Sequence, residues 1–489
     1  MRFLDLIKGL RGNLSGAENN PVVTDICYDS RRVTEGAVFA AVKGSCSDGN
    51  EFITQAVESG ASAVVSENTY DKTVPVPWFK TDDVRKTMGE MASRLWYDPS
   101  SGVYWTGITG TNGKTTVAFL FQKLFSKCYD EESSWMFGTV KYLINGKQSE
   151  AERTTPEVVD IFRCIGTAEQ GPKAVTMEAS SHAIDQARIW GIRYDLCIWL
   201  NLTRDHLDYH ADMVSYYNAK RKLFTSYFKD TGHAVINIDD SWGRKLYFNL
   251  RESGRSNLLT FGESDESHFQ ITDSKCSWDG IEITIRYKGE TTVYKSVLVG
   301  LFNRYNMAAL IVGGIAAGIH RETVMEALSA VKTIPGRMEK VGIDRPYTVV
   351  VDYAHTPDAL ENVLKTAREL TKKRLICVFG CGGNRDKTKR RRMARKVVKY
   401  SDRAVVTNDN PRDENPEEIV EDILDGIPLD YPHRVIKDRR AGIKYAMSEA
   451  KRNDCIIIAG KGHETYQEIA GERHHFDDRE VVREIDRDM

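Results

Sequence analysis

The segment GITGTNGKTT at residues 107–116 has the composition of a phosphate-binding loop. It lies between a strand-like run, VYWTGIT, and an amphipathic helical run, TTVAFLFQKLFSK. In this context, N–H groups of the loop and the helix N-terminus converge on one anion, Lys114 supplies a cation for the β- and γ-phosphates, and Thr115 offers a hydroxyl to Mg²⁺. Only two residues separate Gly110 from Gly113, which departs from the generic kinase and GTPase spacing. ATP is the expected ligand.

A carboxylate and an imidazole follow two further strand-like runs. Glu178 ends the run KAVTME, and Asp205 and His206 follow YDLCIWL in the segment LNLTRDHLDYH. Because the carboxyl ends of parallel strands lie at one edge of a sheet, Glu178 and His206 are expected to hold a metal against the phosphates. Taken singly, each residue type more often makes a structural hydrogen bond, so the prediction depends on their joint placement.

The segment YYNAKRKLF at 216–224 has a helical pattern that brings Lys220 beside the same site. A free ammonium group close to divalent metal ions would be repelled, so an unmodified lysine is electrostatically misplaced there. Taken by itself, the segment is typical of an amphipathic helix with a lysine on its surface.

Two segments rich in turn-forming residues divide the chain, WYDPSSG at 96–102 and KTIPGRME at 332–339. They predict domains of residues 1–98, 99–334 and 335–489. In the middle domain, strand-like runs alternate with helical ones, which predicts an α/β fold with a mostly parallel sheet. The apolar stripe of the helical run after the loop consists of Val117, Leu120, Phe121, Leu124 and Phe125.

The last domain repeats this scheme in TVVVDYAH, RLICVFG, RAVVTND and CIIIAGKG. Each of these runs reads as a buried strand that ends in polar or glycine-rich sequence. Ligands of such sheets bind at the carboxyl ends of the strands, which is where these polar ends fall.

Composition limits the function classes. The 68 basic and 70 acidic residues give a net charge of −2, too small for general attraction to nucleic acid or membrane. The nine cysteines lack the paired spacings of a zinc site or a disulfide framework and indicate reduced thiols. The longest apolar stretch, at 307–319, is shorter than the ~20 residues that span a bilayer. We therefore expect a cytoplasmic protein without a signal peptide or a transmembrane helix.

A series of motifs runs along nearly the whole chain: TGTNGKTT, MEASSHA, NLTRDHLDYH, YYNAKRKLF, LFNRYNMAA, PGRME, VDYAHTPDALE, GCGGNRDKTKR, TNDNPRDENPEEI and AGKGHETYQ. Together they resemble the Mur ligases of peptidoglycan precursor synthesis. The resemblance implies an N-terminal UDP-binding domain, a central P-loop ATPase domain and a C-terminal Rossmann-like domain that presents the incoming amino acid. Within the family, the motifs are most similar to those of members that add meso-diaminopimelate to UDP-MurNAc-L-Ala-D-Glu.

The resemblance also implies roles for individual positions. The residues that would bind ATP are Gly110, Thr111, Asn112, Gly113, Lys114, Thr115, Thr116, Asn303, Asn306, Arg337 and Asp352. The residues that would hold Mg²⁺ are Thr115, Glu178, His206 and Lys220. The implied catalytic residues are Lys114, Glu178, His206 and Lys220. Lys220 matches the family's carbamylated lysine. Carbamylation by CO₂ converts the cation into an anionic oxygen ligand, which removes the electrostatic objection.

The substrate contacts are implied in the same way. The residues that would meet UDP-MurNAc-dipeptide are Tyr28, Ser30, Ser45, Cys46, Ser47, Thr154, Thr155, Ser180, Gln186 and Arg188. Arg153 is a departure, because relatives often carry asparagine before the two threonines. The residues that would meet diaminopimelate are Arg385, Asp409, Asn410, Pro411, Arg412, Gly460 and Glu464. Arg385 and Arg412 are expected to hold its distal carboxylate, which L-lysine lacks, and Glu464 its distal ammonium.

The implied reaction activates a carboxylate as an acyl phosphate, which an amine then attacks. Such chemistry needs positioning and charge neutralisation more than a nucleophilic side chain, in agreement with the absence of an obvious Ser-His or Cys-His arrangement. The expected partners are small-molecule substrates, with no nucleic acid and no membrane insertion, and the expected state is a monomer.

Other functions fit the sequence less well. A dehydrogenase would need a third glycine where GCGGNR has Arg385. A folylpolyglutamate synthetase shares the ATP loop, but the DNPR and GKGHE motifs argue against it. The segment 385–400 carries nine basic residues and could contact nucleic acid, yet the strongly acidic segment that follows favours a solvated helix face.

Overall fold

The computed structural model describes residues 1–16, 19–44, 47–97, 102–207 and 209–489. Two predicted substrate residues, Ser45 and Cys46, lie outside the described residues, as does the predicted boundary between residues 98 and 99. The chain divides into two compact units. The first comprises Met1–Gln270 and Ala308–Val324, and the second comprises Ile271–Met307 and Met325–Met489. The three domain ranges given above stay predictions.

A small α/β layer forms the N-terminal part of the first unit. Its strands are β1 (Asn13–Ser15), β2 (Asp25–Cys27), β3 (Ala37–Ala40), β4 (Ala63–Ser66) and β5 (Trp78–Lys80), in the spatial order β1-β5-β4-β3-β2. Its α-helices are α1 (Phe3–Ile7), α2 (Ile53–Glu58) and α3 (Val84–Trp96), with 3₁₀ turns at Ser30–Arg32 and Gly49–Phe52. Strands β2 to β5 are parallel and β1 is antiparallel to β5. β3 and β4 are buried along their full length, as expected for parallel strands covered on both faces.

The central sheet of the first unit is parallel at its core. Its strands are β6 (Tyr104–Thr109), β7 (Ser134–Phe137), β8 (Lys141–Ile144), β9 (Lys147–Glu150), β10 (Ala174–Glu178), β11 (Tyr194–Trp199), β12 (Phe228–Asn237) and β13 (Leu258–Gly262), in the order β13-β12-β11-β6-β10-β7-β8-β9. Among these described strands, the antiparallel pairings are those of β8 with β7 and with β9, and the other pairings are parallel. In β6, Gly107 lies opposite both Met177 and Cys197. The carboxyl ends of β6, β10 and β11 therefore reach one edge, which carries the glycine-rich loop and Glu178 as predicted.

Helices α4 (Lys114–Cys128), α5 (Val158–Thr167), α6 (Ser181–Asp185), α7 (Met213–Thr225) and α8 (Ser241–Glu252) accompany this sheet. α4 begins after Gly113, whose φ of 89° lies in the left-handed region that favours glycine. The side chains that α4 buries include the predicted stripe, Val117, Leu120, Phe121, Leu124 and Phe125. α7 begins after Asp212, whose carboxylate accepts a hydrogen bond from the N–H of Ser215 at 2.7 Å. The same helix buries Lys220.

The chain continues with β14 (Phe269–Ser277), β15 (Gly280–Tyr287), β16 (Glu290–Ser296), α9 (Asn303–Ala316) and α10 (Arg321–Ala330). The C-terminal sheet consists of β17 (Glu339–Val341), β18 (Thr348–Asp352), β19 (Leu375–Phe379), β20 (Arg403–Val406), β21 (His433–Val435) and β22 (Cys455–Ala459), in the order β17-β18-β22-β19-β20-β21. β17 is antiparallel to its neighbour and the other strands are parallel. A hairpin of β23 (Tyr466–Ile469) and β24 (Glu472–His475) follows. The helices of this region are α11 (Pro357–Leu370), α12 (Thr388–Tyr400), α13 (Pro416–Leu424), α14 (Arg439–Glu449) and α15 (Asp478–Asp488).

Both faces of the C-terminal sheet are covered. Val350 of β18 belongs to an apolar cluster with residues of α11, α12 and α13. The next residue, Val351, belongs to a second cluster with residues of α14 and α15. Because alternate residues of a strand point to opposite faces, these clusters are the two helix-covered faces of a Rossmann-like sheet. The predicted α/β class, with a mostly parallel central sheet and a Rossmann-like C-terminal domain, is confirmed.

A fully buried ion pair links the starts of α14 and α15. Arg439 and Asp478 are both 0% exposed at the side chain, and two guanidinium nitrogens contact the two carboxylate oxygens at 2.7 and 2.8 Å. The guanidinium also donates to the carbonyl of Ala459, at the end of β22. The pair therefore fixes both helices to the carboxyl edge of the sheet.

We expect Asp478→Asn to lower the free energy of unfolding by about 3 kcal/mol, because it leaves the Arg439 cation buried without its counterion. Urea unfolding followed by circular dichroism would measure this. Glu484→Gln is the matched control, since it removes the partner of Arg440 in an exposed pair between the same two helices and should change stability little. Equal effects of the two substitutions would contradict the prediction.

Candidate active site

The glycine-rich loop connects β6 to α4, as the sequence predicts. The N–H groups of Thr111 and Asn112 donate to the backbone and side-chain oxygens of Asn201, both at 2.9 Å. Asn201 follows β11, so the loop is tied to the neighbouring strand end. The first turn of α4 presents further N–H groups at the positive end of the helix dipole. A phosphate is therefore expected at the start of α4 and not over the middle of the loop.

Two lysine amines meet at one backbone carbonyl. Lys114 Nζ donates to the carbonyl oxygens of Gly110 and Thr111, and Lys220 Nζ donates to the same Gly110 oxygen, all at 2.9 Å. Lys220 is 1% exposed. Burial, followed by the charge of Lys114, holds the pKa of Lys220 well below its usual range, against the opposing effect of Asp205. The described residues place no carboxylate in an ion pair with Lys220, so no ion pair offsets the effect of burial, which disfavours the charged form of its amine.

Glu178 joins the loop to the neighbouring strand end. Its carboxylate accepts hydrogen bonds from the Thr115 hydroxyl at 3.0 Å and from the N–H and hydroxyl of Thr139 at 2.8 and 3.0 Å. A side chain at Gly138 would place its Cβ 2.5 Å from Glu178 Oε1, so only glycine allows this approach. Thr115 and Glu178, predicted as metal ligands, are therefore brought together as hard oxygen donors.

Three residues predicted to hold the muramoyl-dipeptide adjoin this network. The Thr155 hydroxyl donates to the backbone carbonyl of Glu178 at 2.6 Å and accepts from the N–H of Ser180 at 3.1 Å. The hydroxyls of Thr139 and Thr154 lie 3.2 Å apart. The structure thus connects the predicted phosphate site and part of the predicted dipeptide site through Glu178.

His206 lies in the segment after β11, with a positive φ of 52°. Asp205 accepts a hydrogen bond from the His206 N–H at 2.8 Å, and the His206 and His182 ring centroids are 5.0 Å apart. Within the described part of the chain, no three His, Cys, Asp or Glu side chains are grouped as metal ligands. A ligand set that includes His206 stays a prediction.

The predicted uridine-nucleotide residues lie in the N-terminal layer. The Tyr28 hydroxyl donates to Asp160 at 2.5 Å, and the Ser30 hydroxyl donates to Gln55 at 3.0 Å. Burial and the charge of Asp160 raise the pKa of Tyr28, which keeps the phenol protonated. Gln186 and Lys43 line a cleft of about 550 Å³ in the first unit. Lys43 precedes the predicted substrate residue Ser47 by four positions in the sequence. This cleft has the size of a small-molecule site.

The second unit contains the other residues predicted to bind ATP. The amide of Asn306 donates to Asn303 at 2.8 Å, and Asn303 donates to the backbone of Val299 at 2.8 Å. The Asp352 carboxylate accepts hydrogen bonds from the N–H groups of Met338 and Ala354, at 2.7 and 2.8 Å. Burial raises the pKa of Asp352, and the nearby cation of Arg337 opposes this.

The DNPR and GKGHE motifs meet around a fully buried lysine. Lys461 is 0% exposed and donates to the amide oxygen of Asn410 and to Glu464 Oε2, both at 3.0 Å. Asn410 also donates to Glu464 Oε2, at 2.9 Å. Burial would raise the pKa of Asp409, but the cations of Lys461 and Arg439 hold it below its usual range. The Asp409 carboxylate is also close to Gly460, where a Cβ would lie 2.5 Å from its Oδ2.

The two arginines predicted to bind the distal carboxylate differ in setting. Arg412, with a positive φ of 54°, donates through Nε to Glu468 at 3.2 Å and through Nη1 to the carbonyl of Gly383 at 2.8 Å. Its Nη2 donates to no acceptor among the described residues. Arg385 is exposed, and its Nη1 lies 3.5 Å from the carbonyl of Asn384. Convergence of Arg385 and Arg412 on one ligand stays a prediction.

Sequence reasoning did not single out two residues of these networks. Thr139 follows β7 in the segment FGT, and its place after a buried strand run was the available signal. Lys461 lies inside the AGKGHE segment, but nothing in its spacing indicates that its charge is buried against Asn410 and Glu464.

Comparisons with known proteins agree with this architecture. Residues 22–96, 108–313 and 336–462 match the family models described as "Mur ligase family, catalytic domain", "Mur ligase middle domain" and "Mur ligase, glutamate ligase domain".

Among the described residues, no helix is long and apolar enough to cross a membrane.

Curated relatives and a solved structure match over nearly the full length. The chain is 41% identical to the UDP-N-acetylmuramoyl-L-alanyl-D-glutamate–2,6-diaminopimelate ligase of Aquifex aeolicus, with coverage of 95% of this chain and 93% of the relative. It is 38% identical to the ligase of the same name from Clostridium perfringens, with 99% of both chains covered. A solved structure of such a ligase superposes with a TM-score of 0.69 at 32% identity and covers 95% of each chain.

The matched domains, their order and the extent of the identity leave one assignment. The chain belongs to the Mur ligase family and is an ATP-dependent ligase of peptidoglycan precursor synthesis.

Proposed function

We propose that this protein adds meso-diaminopimelate to UDP-MurNAc-L-Ala-D-Glu and converts ATP to ADP and phosphate in doing so. The relatives that carry this substrate in their name support the proposal at 38 to 41% identity. The observation in the structure that carries it is the bonding of Glu178 to both Thr115 and Thr155. That network joins the phosphate loop to the loop implied to hold the dipeptide. The proposed location is the cytoplasm, and the proposed state is a monomer.

The proposed reaction has two steps. A D-glutamate carboxylate oxygen attacks the γ-phosphorus of ATP, the bond from that phosphorus to ADP breaks, and an acyl phosphate forms. The amine of diaminopimelate then attacks the acyl carbon, loses a proton, and expels inorganic phosphate through a tetrahedral intermediate. Both steps develop charge on oxygen, so fixed donors lower the barrier more than a nucleophilic side chain would.

Lys114 and the first turn of α4 are the proposed phosphate contacts. In the structure, Lys114 Nζ is held by two loop carbonyls, so it needs only to exchange neutral acceptors for phosphate oxygens. The exchange brings a cation to the transferring group without moving the helix. The proposed nucleotide contacts in the second unit are Asn303, Asn306, Arg337 and Asp352.

The residues around Glu178 fit Mg²⁺. The Thr115 hydroxyl and the Glu178 carboxylate are hard oxygen donors 3.0 Å apart, which is the chemistry that this ion prefers. We propose that they hold Mg²⁺ with His206 and carbamylated Lys220. When bound, Mg²⁺ neutralises phosphate charge.

The carbamate at Lys220 is supported by the state of its amine. Only a neutral amine attacks CO₂, with formation of an N–C bond and release of a proton. Lys220 is buried, and Lys114 lies on the same carbonyl oxygen, so the ammonium form is disfavoured. The product is an anion beside the cation of Lys114, an attractive arrangement in place of the repulsion that the ammonium form of Lys220 would meet.

Lys114→Ala should lower turnover by about 100- to 1000-fold, because it removes the loop cation that faces the transferring phosphate. Phosphate release under saturating substrates would measure this. Lys123→Ala is the matched control, since Lys123 lies on the same helix but pairs with Glu131 at the surface. Near-normal turnover of Lys114→Ala would show that the phosphate site is assigned wrongly.

Lys220→Ala should be nearly inactive and should regain part of its activity with added short carboxylates, which can occupy the vacated space. The assay is phosphate release with acetate or formate, compared with chloride at equal ionic strength. Lys220→Arg keeps a cation but cannot form a carbamate, so it should stay inactive. Failure of every carboxylate to restore activity would count against the carbamate.

The proposed preference for diaminopimelate as the amino-acid substrate depends on hydrogen-bonding groups of Arg412 and Glu464 in the second unit. Nη2 of Arg412 and Oε1 of Glu464 make no hydrogen bond to the described residues, although both side chains are otherwise held in place. We propose that Nη2, with Arg385, binds the distal carboxylate of diaminopimelate, and that Glu464 binds its distal ammonium. L-Lysine lacks that carboxylate and would leave the guanidinium groups unpaired.

We therefore expect meso-diaminopimelate to be used at least about a thousandfold more efficiently than L-lysine, and Arg412→Ala to lose this use. The measurement is ATP-dependent phosphate release with UDP-MurNAc-L-Ala-D-Glu and a panel of amino acids. Arg434→Ala, at an exposed position of β21, is the control. A preference for L-lysine would overturn the substrate, and no stimulation by any amino acid would overturn the ligase reaction.

A further inference from the structure

A buried carboxylate in the first unit gathers three arginines. Glu157 immediately precedes α5 but makes no capping hydrogen bond with its side chain. Instead its side chain turns inward and is only 3% exposed. Its Oε1 lies 3.4 Å from Arg85, 3.5 Å from Arg153 and 3.6 Å from Arg188. One anion is thus shared by cations from three segments of the chain.

The cluster of Glu157 with Arg85, Arg153 and Arg188 has more positive than negative charge. Three guanidinium groups face one carboxylate, so two positive charges are not balanced within the cluster. Arg85 Nε and Arg188 Nε are the buried atoms that face Glu157 Oε1, and neither makes a hydrogen bond to it within the described residues. Buried charged donors are normally hydrogen-bonded, so the excess positive charge of the cluster favours the binding of a second anion. An oxyanion has the charge and the lone pairs required.

The position of the cluster identifies where that oxyanion would come from. Arg85 lines the cleft of about 550 Å³ together with Gln186. Arg153 directly precedes Thr154, whose hydroxyl contacts the network of Glu178. The cluster therefore adjoins both the cleft and the segment of Thr154, where the UDP-linked substrate is proposed to bind.

We propose that Glu157 is a positioning residue that holds Arg85 and Arg188 so that their donors face an oxyanion of the UDP-linked substrate. This inference depends on the proposed function. Glu157 acts through the arginines and not on the substrate, because its own charge repels an anion. Without it, three like charges at this separation repel one another and the side chains turn toward solvent. The oxyanion is a phosphate of the nucleotide or a carboxylate of the D-glutamate.

Glu157→Gln tests the proposal, because it removes the charge and keeps the shape. We expect the KM for UDP-MurNAc-L-Ala-D-Glu to rise about tenfold, while kcat and the KM values for ATP and diaminopimelate change less than about twofold. Glu157→Asp restores the charge and should recover part of the affinity. Glu152→Gln is the matched control, since it makes the same change at an exposed position of the same segment.

Calorimetric titration without ATP separates this inference from the proposed function. The expected result is an increase of about tenfold in the Kd of UDP-MurNAc-L-Ala-D-Glu in Glu157→Gln. An equal increase for UDP-N-acetylglucosamine, which carries the diphosphate but no carboxylate, would assign the oxyanion to the nucleotide, and an increase confined to the dipeptide form would assign it to the D-glutamate.

Three outcomes would overturn the positioning role. They are an unchanged Kd in Glu157→Gln, a loss of kcat and stability with no change in KM, and the absence of binding by the wild-type protein. Binding by the wild-type protein without turnover would contradict only the proposed function. If Glu157→Gln does not fold, Glu157→Asp decides, because a shortened carboxylate should still raise the Kd of the UDP-linked substrate alone.

Discussion

Two lysine amines donate to one carbonyl oxygen, that of Gly110, and the arrangement of the site depends on this close approach of two basic groups. Burial of an amine without a carboxylate beside it disfavours its charged form. Lys220 comes from α7 and Lys114 from α4, so the packing of both helices against β6 decides how close the two charges come. In the proposed reaction, phosphate would draw Lys114 away from the carbonyl, and a carbamate would turn Lys220 from a repelled neighbour into an attracted one.

Glu178 connects the glycine-rich loop to the other segments at the same edge of the central sheet. It binds the hydroxyl of Thr115 on one side and Thr139 on the other, and its own carbonyl orients Thr155. The approach is possible because Gly138 has no side chain. The parallel register of β6 and β10 places all of these groups at one strand end. A change at any of them is therefore expected to move both the proposed phosphate site and the proposed dipeptide site.

The sequence was sufficient where the signal is local. The apolar stripe of α4, the loop before it and the strand ends that carry Glu178 and Asp352 were predicted, because periodicity and turn residues specify them. It was insufficient where distant segments meet. The inward turn of Glu157 and the burial of Lys461 depend on packing between elements far apart in the chain. Arg153 stood out in the sequence as a departure from the family pattern, and only the structure connects it to Glu157.

The proposed carbamate requires that Lys220 be a neutral amine in its buried position and that it add CO₂. The most direct test is ¹³C NMR of the protein equilibrated with ¹³C-labelled bicarbonate at neutral and mildly alkaline pH, without acidification, which would release a carbamate. The account predicts a carbamate resonance in the wild-type protein that is absent from Lys220→Arg. The absence of a resonance that depends on Lys220, in protein that binds ATP and Mg²⁺, would contradict the proposed carbamate.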